Sequence, residues 1–257
     1  MRTVATYSIK GGVGKTSAAL NLAYLAARDG QRTLVWDLDP QAAATFLFRV
    51  RPRIKGGGKA LVKGKRDIDD AIKATDFPGL DLLPADFSYR HMDLMLDDAK
   101  RPTRQLGKLL KPLSLDYDLV VLDCPPSISL VSENVFQAAD LLLVPLIPTT
   151  LSLRTFDQLL EVVAALDGRR PDVRAFFSMV DGRKRLHADI MRDLPHNRSD
   201  ILKASVPSAT DVERMGLTRQ PVVVSNPGGR AAQAYTALWQ ECHDALFGPV
   251  RVRRRDG

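Results

Sequence analysis

The chain has 257 residues, of which 45% are apolar, and a formal net charge of +7. This length and composition fit one large or two small globular domains with a sizeable core. No apolar run reaches the roughly 18–20 residues of a membrane-spanning helix, and the N-terminus lacks a secretion-signal pattern. The two cysteines, Cys124 and Cys242, lack metal-type spacing, so we expect reduced thiols and a cytoplasmic protein.

Apolar runs alternate with helical stretches along the whole chain. The predicted strands are residues 3–9, 32–37, 80–83, 117–123, 141–145, 173–180 and 201–206. The predicted helices are residues 15–28, 91–99, 129–138, 151–166 and 230–246. Several strand candidates are continuously apolar, as expected of strands buried on both faces. The alternation predicts an α/β fold over residues 1–257, a single domain with a mostly parallel twisted sheet and helices on both faces.

A glycine-rich loop, KGGVGKT at residues 10–16, separates the first predicted strand from the first helix. The strict Walker A pattern requires a glycine where this chain has Ile9, so the loop is a variant. Its backbone N–H groups and the following helix N-terminus still favour phosphate. Lys15 would reach the β- and γ-phosphates, and the Thr16 hydroxyl would ligate Mg²⁺. The predicted ATP-binding residues here are Lys10, Gly11, Gly12, Val13, Gly14, Lys15, Thr16 and Ser17.

Three aspartates stand at the ends of apolar strands. Asp123 ends the run YDLVVLD. Asp37 and Asp39 lie two residues apart at the end of the predicted strand at 32–37 and share one of its faces. A buried strand that delivers a carboxylate to the carboxyl edge of a sheet can hold Mg²⁺ through water. Thr16, Asp37 and Asp123 are therefore the predicted metal site. Cys124 follows Asp123 directly, and we expect it to be a core residue.

Three motifs resemble those of the ParA/MinD group of ATPases. KGGVGKT, with a lysine ahead of the glycines, resembles the deviant Walker A loop. The segments TLVWDLDPQ at 33–41 and LVVLDCPPS at 119–127 resemble the group's second motif and its Walker B motif. Order and spacing match, and weaker similarity covers nearly the whole chain. The resemblance implies a P-loop NTPase architecture, ATP and Mg²⁺ as cofactors, and slow ATP hydrolysis stimulated by a partner.

The resemblance also implies roles for individual residues. Lys10 would reach the nucleotide of the other subunit in an ATP-bound sandwich dimer, and Asp39 would position the attacking water. With Lys15 they form the predicted catalytic set. The adenine would contact the loop after the last main strand, where Pro207, Thr210 and Val212 match best. Met179 and Asp181 would line the other side of the base.

The positive charge is concentrated in two places. Residues 49–66 hold eight of the 37 basic residues and no acidic residue. The rest of the chain therefore has 29 basic and 30 acidic residues, a nearly neutral balance. A second basic cluster lies in the tail at 248–257. We therefore expect a mobile basic insert at 49–66, and a polyanionic partner, which is either nucleic acid or an anionic membrane.

Three functions fit an ATPase of this group. The first is a ParA-like homodimer that binds DNA without sequence preference, positions a chromosome, plasmid or protein body, and is stimulated by a ParB-like or adaptor partner; it would be nucleoid-associated. Arg183 matches a DNA-contacting position, and Arg214 would replace a second one that falls at Asp211. With no helix-turn-helix ahead of the loop, we expect no operator recognition.

The second candidate function is a MinD-like ATPase that acts on the membrane. It would need an amphipathic C-terminal helix, but the apolar stripe at 230–246 is more typical of a helix docked on its own domain, so membrane binding is the weaker prediction. The third candidate, a metal- or cluster-carrier ATPase, would need paired cysteines, and Cys124 and Cys242 are isolated. The sequence therefore favours the ParA-like function.

Overall fold

The structure is a computed structural model that describes residues 1–248, except for the side chains of residues 193 and 195–197. Apart from Gly248, the predicted basic tail therefore lies outside the described residues. Within the described chain, eight strands form one sheet. The strands are β1 (Arg2–Thr6), β2 (Thr33–Asp37), β3 (Lys73–Ala74), β4 (Leu80–Leu83), β5 (Leu119–Asp123), β6 (Leu141–Leu146), β7 (Asp172–Val180) and β8 (Ile201–Pro207).

The sheet order is β3-β4-β2-β5-β1-β6-β7-β8, and every adjacent pair is parallel except β3 with β4. The strands β2, β5 and β6 are buried along their whole length, which explains their uninterrupted apolar sequences. The predicted mostly parallel sheet is confirmed. The short antiparallel strand β3 at the edge was not predicted, because two residues carry no periodicity.

The helices follow in chain order. They are α1 (Lys15–Arg28), α2 (Ala43–Leu47), α3 (Gly57–Val62), α4 (Met92–Asp97), α5 (Gln105–Leu110), α6 (Leu130–Ala138), α7 (Thr150–Ala164), α8 (Arg185–Asn197), α9 (Thr210–Glu213), α10 (Met215–Thr218), α11 (Val222–Ser225) and α12 (Arg230–Phe247). Among the described residues, no helix combines the length and apolar character needed to cross a bilayer.

Two apolar cores lie on opposite faces of the sheet. Residues of α1, α11 and α12 form one core, including Leu20, Val222 and Trp239. Residues of α4 to α7 form the other, including Leu106 and Phe136. The chain crosses from β1 to β2 on one side, and β6 lies on the other side of β1. The strand order thus reverses beside β1, and such a reversal opens a crevice at the carboxyl ends of the strands.

The structure differs from the predicted mobile insert at residues 49–66. The helix α3 lies within this segment, and Ile54 and Leu61 are 4% and 1% exposed. Both side chains belong to the core beside α4 and α5, and the Ile54 N–H donates to the Asp86 carboxylate at 2.8 Å. The sequence did not indicate that Ile54 and Leu61 are core residues, because two apolar residues in a glycine- and lysine-rich segment are too few to produce a helical period.

The C-terminal helix α12 packs on its own domain, as the sequence predicts. Tyr235, Leu238, Trp239, Cys242 and Leu246 are all buried in the core shared with α1. The Trp239 indole donates to the Asp29 carboxylate at 2.8 Å, which fixes α12 against the end of α1. The apolar stripe of this helix is therefore occupied by intramolecular packing and is not available to a membrane.

Candidate functional site

The loop at residues 10–16 connects the buried strand β1 to the N-terminus of α1. Gly12 and Gly14 have φ values of 70° and 96°, in the left-handed region where other residues are strained. A Cβ on Gly14 would also lie 2.8 Å from the Ser178 hydroxyl oxygen. Glycine is therefore required at Gly14 for both backbone and space. The resulting turn places Gly11, Gly12 and Gly14 along the crevice that opens in front of the loop.

Lys15 begins α1 and is only 7% exposed. Its ammonium donates to the Lys10 carbonyl at 3.2 Å, so the side chain folds back over the loop. Burial lowers the pKa of Lys15, and the nearby carboxylate of Asp123 partly opposes that shift. A lysine held in this position supplies a positive charge to any phosphate that enters the loop.

Asp123 ends β5 and is completely buried between β1 and β2, opposite Thr6 and Asp37. Burial and the neighbouring charge of Asp37 raise its pKa well above the usual range, while the Thr16 hydroxyl and Lys15 partly offset this rise. Its buried Oδ2 atom has no hydrogen-bond partner in the described part of the chain. An orphaned carboxylate oxygen beside a threonine hydroxyl fits an oxygen-ligated Mg²⁺ and its bound water.

Asp37 is also fully buried, but its oxygens are occupied. Oδ2 accepts from the Thr45 N–H and hydroxyl at 2.8 and 2.7 Å, and Oδ1 accepts from the Asp39 N–H at 3.2 Å. Burial raises its pKa to about 6 in spite of these bonds. Asp37 therefore positions Asp39 and the start of α2. Asp37 was predicted to belong to the metal shell. Because both of its oxygens are hydrogen-bonded, it fits a residue that orients the surrounding groups better than a direct metal ligand.

A crevice of about 470 Å³ opens in front of the loop at the carboxyl ends of β1, β5 and β7. Asp39 lines it together with Gln41, and the Asp39 carboxylate accepts from the Gln41 N–H at 2.9 Å. The crevice thus brings Lys15, Thr16 and Asp39 to one cavity, as the sequence predicts. Its volume is of the size that holds a nucleotide-sized ligand.

Only some of the residues predicted to contact adenine line the crevice. Pro207, Val212 and Met179 line the crevice. Thr210 does not; it begins α9 and is exposed, because the turn directs Ala209 and Val212 inward instead. Asp181 also lies outside the crevice. Met179 has a φ of 54°, and such a strained non-glycine residue is typical of a binding site.

Among the crevice residues that sequence reasoning missed, two come from β7 and α12. Ser178 contributes from the end of β7, and Tyr235 contributes from the middle of α12. The Tyr235 hydroxyl is hydrogen-bonded to Ser17, and burial raises its pKa above the usual range. Tyr235 reads in the sequence as one more residue of an apolar stripe, so no local signal identified it. Ser178 directly precedes Met179, which was predicted to contact the base, so its neighbour in the sequence could have indicated it.

Lys10 and Val13 do not line the crevice and instead border a second, small cavity with Ile9, Pro145 and Phe156. The Lys10 N–H donates to the Ser8 hydroxyl at 3.3 Å, which fixes its backbone. The loop therefore presents Lys15 inward and Lys10 to the other side.

Arg183 and Arg214 are both exposed, as a DNA-contacting role requires. Arg183 has a side chain 92% exposed and forms two bonds of 3.0 Å to the Asp181 carboxylate. Asp211, the position with the unexpected charge, accepts from the Asn226 amide at 2.9 Å. Cys124 is buried, and burial raises the pKa of its thiol, so it is the core residue that the sequence predicts.

Comparisons with known proteins agree with this geometry. Residues 1–174 match the family model described as AAA domain. The chain is 29% identical over 249 residues to the chromosome partitioning protein ParA of Caulobacter vibrioides, covering 94% of this chain and 93% of that one. Cobyrinic acid a,c-diamide synthase of Mycobacterium smegmatis, solved with an ATP analogue and magnesium, matches with a TM-score of 0.81 at 25% identity and covers 95% of each chain.

A third match is the ATP complex of McdA from Cyanothece, with a TM-score of 0.79 at 23% identity, covering 95% of this chain and 96% of that chain. At 23% identity this structural similarity shows a shared fold and no more. The AAA-domain match covers more than half of the chain, and the variant loop, the two aspartate motifs and the sheet order accompany it. The chain belongs to this AAA-domain family, and within it to the ParA-like branch of the ParA/MinD group of deviant Walker A ATPases.

Proposed function

We propose that this ParA-like ATPase binds ATP with Mg²⁺ in the crevice, dimerises in that state, and then holds DNA without sequence preference. Hydrolysis ends the DNA-bound state, and a ParB-like or adaptor protein accelerates it. The bound cargo is a chromosome, a plasmid or a protein body, and the working form of the protein lies on the nucleoid in the cytoplasm. The observation that carries the proposal is the crevice that joins Lys15, Thr16 and Asp39 beside the orphaned oxygen of Asp123.

The residues of the crevice fit the roles that ATP hydrolysis requires. The glycine loop and the N-terminus of α1 hold the phosphates, and Lys15 neutralises their charge. Thr16 and Asp123 would hold Mg²⁺, which supplies charge stabilisation at the phosphates when bound. Asp39 stands at the mouth of the crevice, where a carboxylate orients the attacking water. Met179, Pro207 and Val212 provide apolar surface for the base.

The fit to Mg²⁺ rests on charge as well as on geometry. Asp37 and Asp123 are register partners on neighbouring strands, and both are fully buried. Two buried carboxylates repel each other, and each raises the cost of ionising the other. A divalent cation beside Asp123 would reduce this repulsion, because it adds positive charge to that of Lys15, which offsets the repulsion only in part.

The alternative is a MinD-like ATPase that acts on a membrane. The packing of α12 argues against it, since the apolar residues of that helix are buried against α1 and β8. The exposed Arg183, at a position that by resemblance contacts DNA, favours DNA.

The test is the affinity for labelled duplex DNA of arbitrary sequence, measured by fluorescence anisotropy with Mg²⁺ and either a slowly hydrolysed ATP analogue or ADP. We expect tighter binding with the ATP analogue and a linear fall of log affinity with log salt concentration. Equal affinity in the two nucleotide states would overturn the ATP-gated mechanism. Liposomes with anionic lipid serve as the competing ligand, and ATP-dependent binding to them alone would support the membrane alternative.

A further inference from the structure

A cationic surface lies outside the nucleotide crevice, on the segment at residues 49–66. We call the exposed side chains of Arg51, Arg53, Lys55, Lys59 and Lys63 the insert surface. The whole positive balance of the chain depends on this segment, because the remainder has one more acidic than basic residue. Such a concentration of one charge on a near-neutral body predicts a polyanionic ligand.

The fold holds the insert surface in place. Ile54 and Leu61 are buried in the core, and the Gly58 N–H donates to the Ser88 hydroxyl at 2.9 Å. Gly58 lies directly on the Tyr89 ring, since a Cβ there would meet two ring carbons at 2.8 Å. These contacts lie on the inner side of α3, and Lys59 and Lys63 extend from its outer side. The backbone that carries these cations is therefore fixed on folding, so that only their side chains remain to be ordered when a ligand binds.

Most of the insert surface is not neutralised by the protein itself. Lys63 approaches Asp98 at 3.5 Å, but within residues 1–248 no ion pair is formed by Arg51, Lys55 or Lys59. In the acidic run that follows in sequence, Asp70 lies 4.0 Å from Arg66, and Asp67 and Asp70 border one cavity with Lys55 without forming an ion pair with it in the described chain. Free cations on a fixed surface are the arrangement that releases counterions when phosphates bind.

The chemistry of the segment favours nucleic acid over a lipid surface. Its large apolar side chains, Ile54 and Leu61, are buried, and Val50 and Val62 are partly buried against the cores. Insertion into a bilayer needs an exposed apolar face beside the charges. A phosphate backbone needs only the charges and their spacing over an extended surface.

The insert surface is also separate from the nucleotide. No residue of the described segment at 49–66 lines the crevice. Its anchors are the core residues and the turn that carries Asp86 and Ser88, which likewise stand outside the crevice. ATP binding thus has no direct contact through which to create or remove this surface.

We propose that the insert surface binds the phosphate backbone of duplex DNA whichever nucleotide is bound, and so adds a constitutive contact to the ATP-gated one. This inference rests on the proposed function in taking DNA as the ligand. Such a contact would keep the ADP form near DNA after release of the tight, ATP-dependent state. The mechanism would then be a change between weak and strong DNA binding rather than between binding and none.

The test compares two triple variants of the full chain. Arg51→Ala/Lys55→Ala/Lys59→Ala removes three charges from the insert surface, and Arg28→Ala/Arg170→Ala/Lys203→Ala removes three exposed charges from other elements. With ADP, we expect the first variant to bind duplex DNA about tenfold more weakly or worse, and its salt slope to fall by about 0.9 for each lost phosphate contact. The second variant should stay closer to the parent protein in both measures. Both should unfold at the parent urea midpoint, because all six side chains are exposed.

Three outcomes would overturn the inference. The first is an unchanged ADP-state affinity and salt slope in the first variant, and the second is an equal loss in both variants. The third is a loss of binding to vesicles rich in anionic lipid with DNA binding unaltered, which would make the insert surface a membrane contact. None of the three decides the ATP-gated mechanism, which is tested by the difference between ATP and ADP in the parent protein. A parent protein without that difference but with the predicted variant effect would retain the insert surface and lose the proposed function.

Discussion

At the scale of single residues, the site depends on which polar atoms the fold satisfies and which it leaves free. Asp37 and Asp123 are both buried at the ends of neighbouring strands. Asp37 is satisfied by Thr45 and the Asp39 N–H, whereas one oxygen of Asp123 has no partner in the described chain. The first carboxylate therefore shapes the loop, and the second is available to a ligand. Identical residue types receive different functions from their surroundings.

Asp39 provides the first prediction. Asp39→Ala should still bind ATP and form the ATP-dependent dimer, but turnover should fall about 100-fold or more, because the water loses its orienting carboxylate. Lys15→Ala is the contrasting variant and should lose nucleotide binding together with dimerisation. Phosphate release and light scattering measure the two properties. Normal turnover in Asp39→Ala would remove Asp39 from its role.

The pair formed by Asp181 and Arg183 provides the second prediction. The hydrogen bonds from Arg183 lower the pKa of Asp181 to about 2. Because this value is below the usual one, the carboxylate is charged throughout the neutral range, and the pair is lost only as pH falls through about 2. The carboxylate therefore competes with DNA phosphate for Arg183. Asp181→Asn should increase DNA affinity, and Arg183→Ala should reduce it.

The control for this prediction is a similar pair at the other end of β7. Asp172 accepts from Arg174 at 2.9 Å, again two residues apart, so Asp172→Asn makes the same charge change far from Asp181. DNA affinity should rise only in Asp181→Asn. An equal rise in both variants would mean that net charge, and not the release of Arg183, is responsible.

At the scale of elements, the short helix α3 shows how tertiary contacts fix a segment that local sequence signals do not specify. The helix α3 has only six residues, too few to be stable alone, and it is held by packing against α4 and the turn at Ser88 and Tyr89. The Tyr89 ring is buried, and its hydroxyl accepts from the Trp36 indole at 3.2 Å. A segment of low-complexity composition thus becomes a fixed element through contacts with distant residues.

Gly58 tests how tightly α3 is packed. Gly58→Ala should destabilise the protein by up to about 2 kcal/mol, because overpacking against Tyr89 costs about 1–3 kcal/mol and the gain in helix propensity returns about 1. Gly107→Ala in α5 is the matched control, since a Cβ there meets nothing within 4 Å. It should stabilise by up to about 1 kcal/mol. Urea unfolding followed by tryptophan fluorescence measures both, and equal effects would contradict the close contact.

The sequence predicted those parts of the fold whose signals are local. The helix at 15–28 and the strand at 80–83 match α1 and β4, because glycine punctuation and apolar periodicity act within a few residues. The first strand was predicted through Ile9, but β1 ends at Thr6, where the chain turns into the loop. Tyr235 could not be identified as a site residue, because only the return of α12 to the crevice places it beside Ser17.

At the scale of the whole molecule, the fold separates three tasks. The carboxyl ends of the central strands form the crevice, α12 closes one face of the sheet, and residues 49–66 carry charge at the other. The two lysines of the loop, Lys10 and Lys15, line different cavities. Lys15 lines the crevice and Lys10 borders the second cavity.

The trans role proposed for Lys10 predicts complementation. Lys10→Ala should bind ATP in its own crevice yet turn over poorly, and Asp39→Ala should be inactive for the separate reason given above. In a mixed dimer, the site of the Lys10→Ala subunit contains its own Asp39 and receives Lys10 from the partner, so one of the two sites is complete. Mixing the two variants should therefore restore ATPase activity that neither has alone, with a maximum near equal concentrations. If Lys10 acted within its own subunit, every site in every dimer would lack one of the two groups, and the mixture would stay inactive.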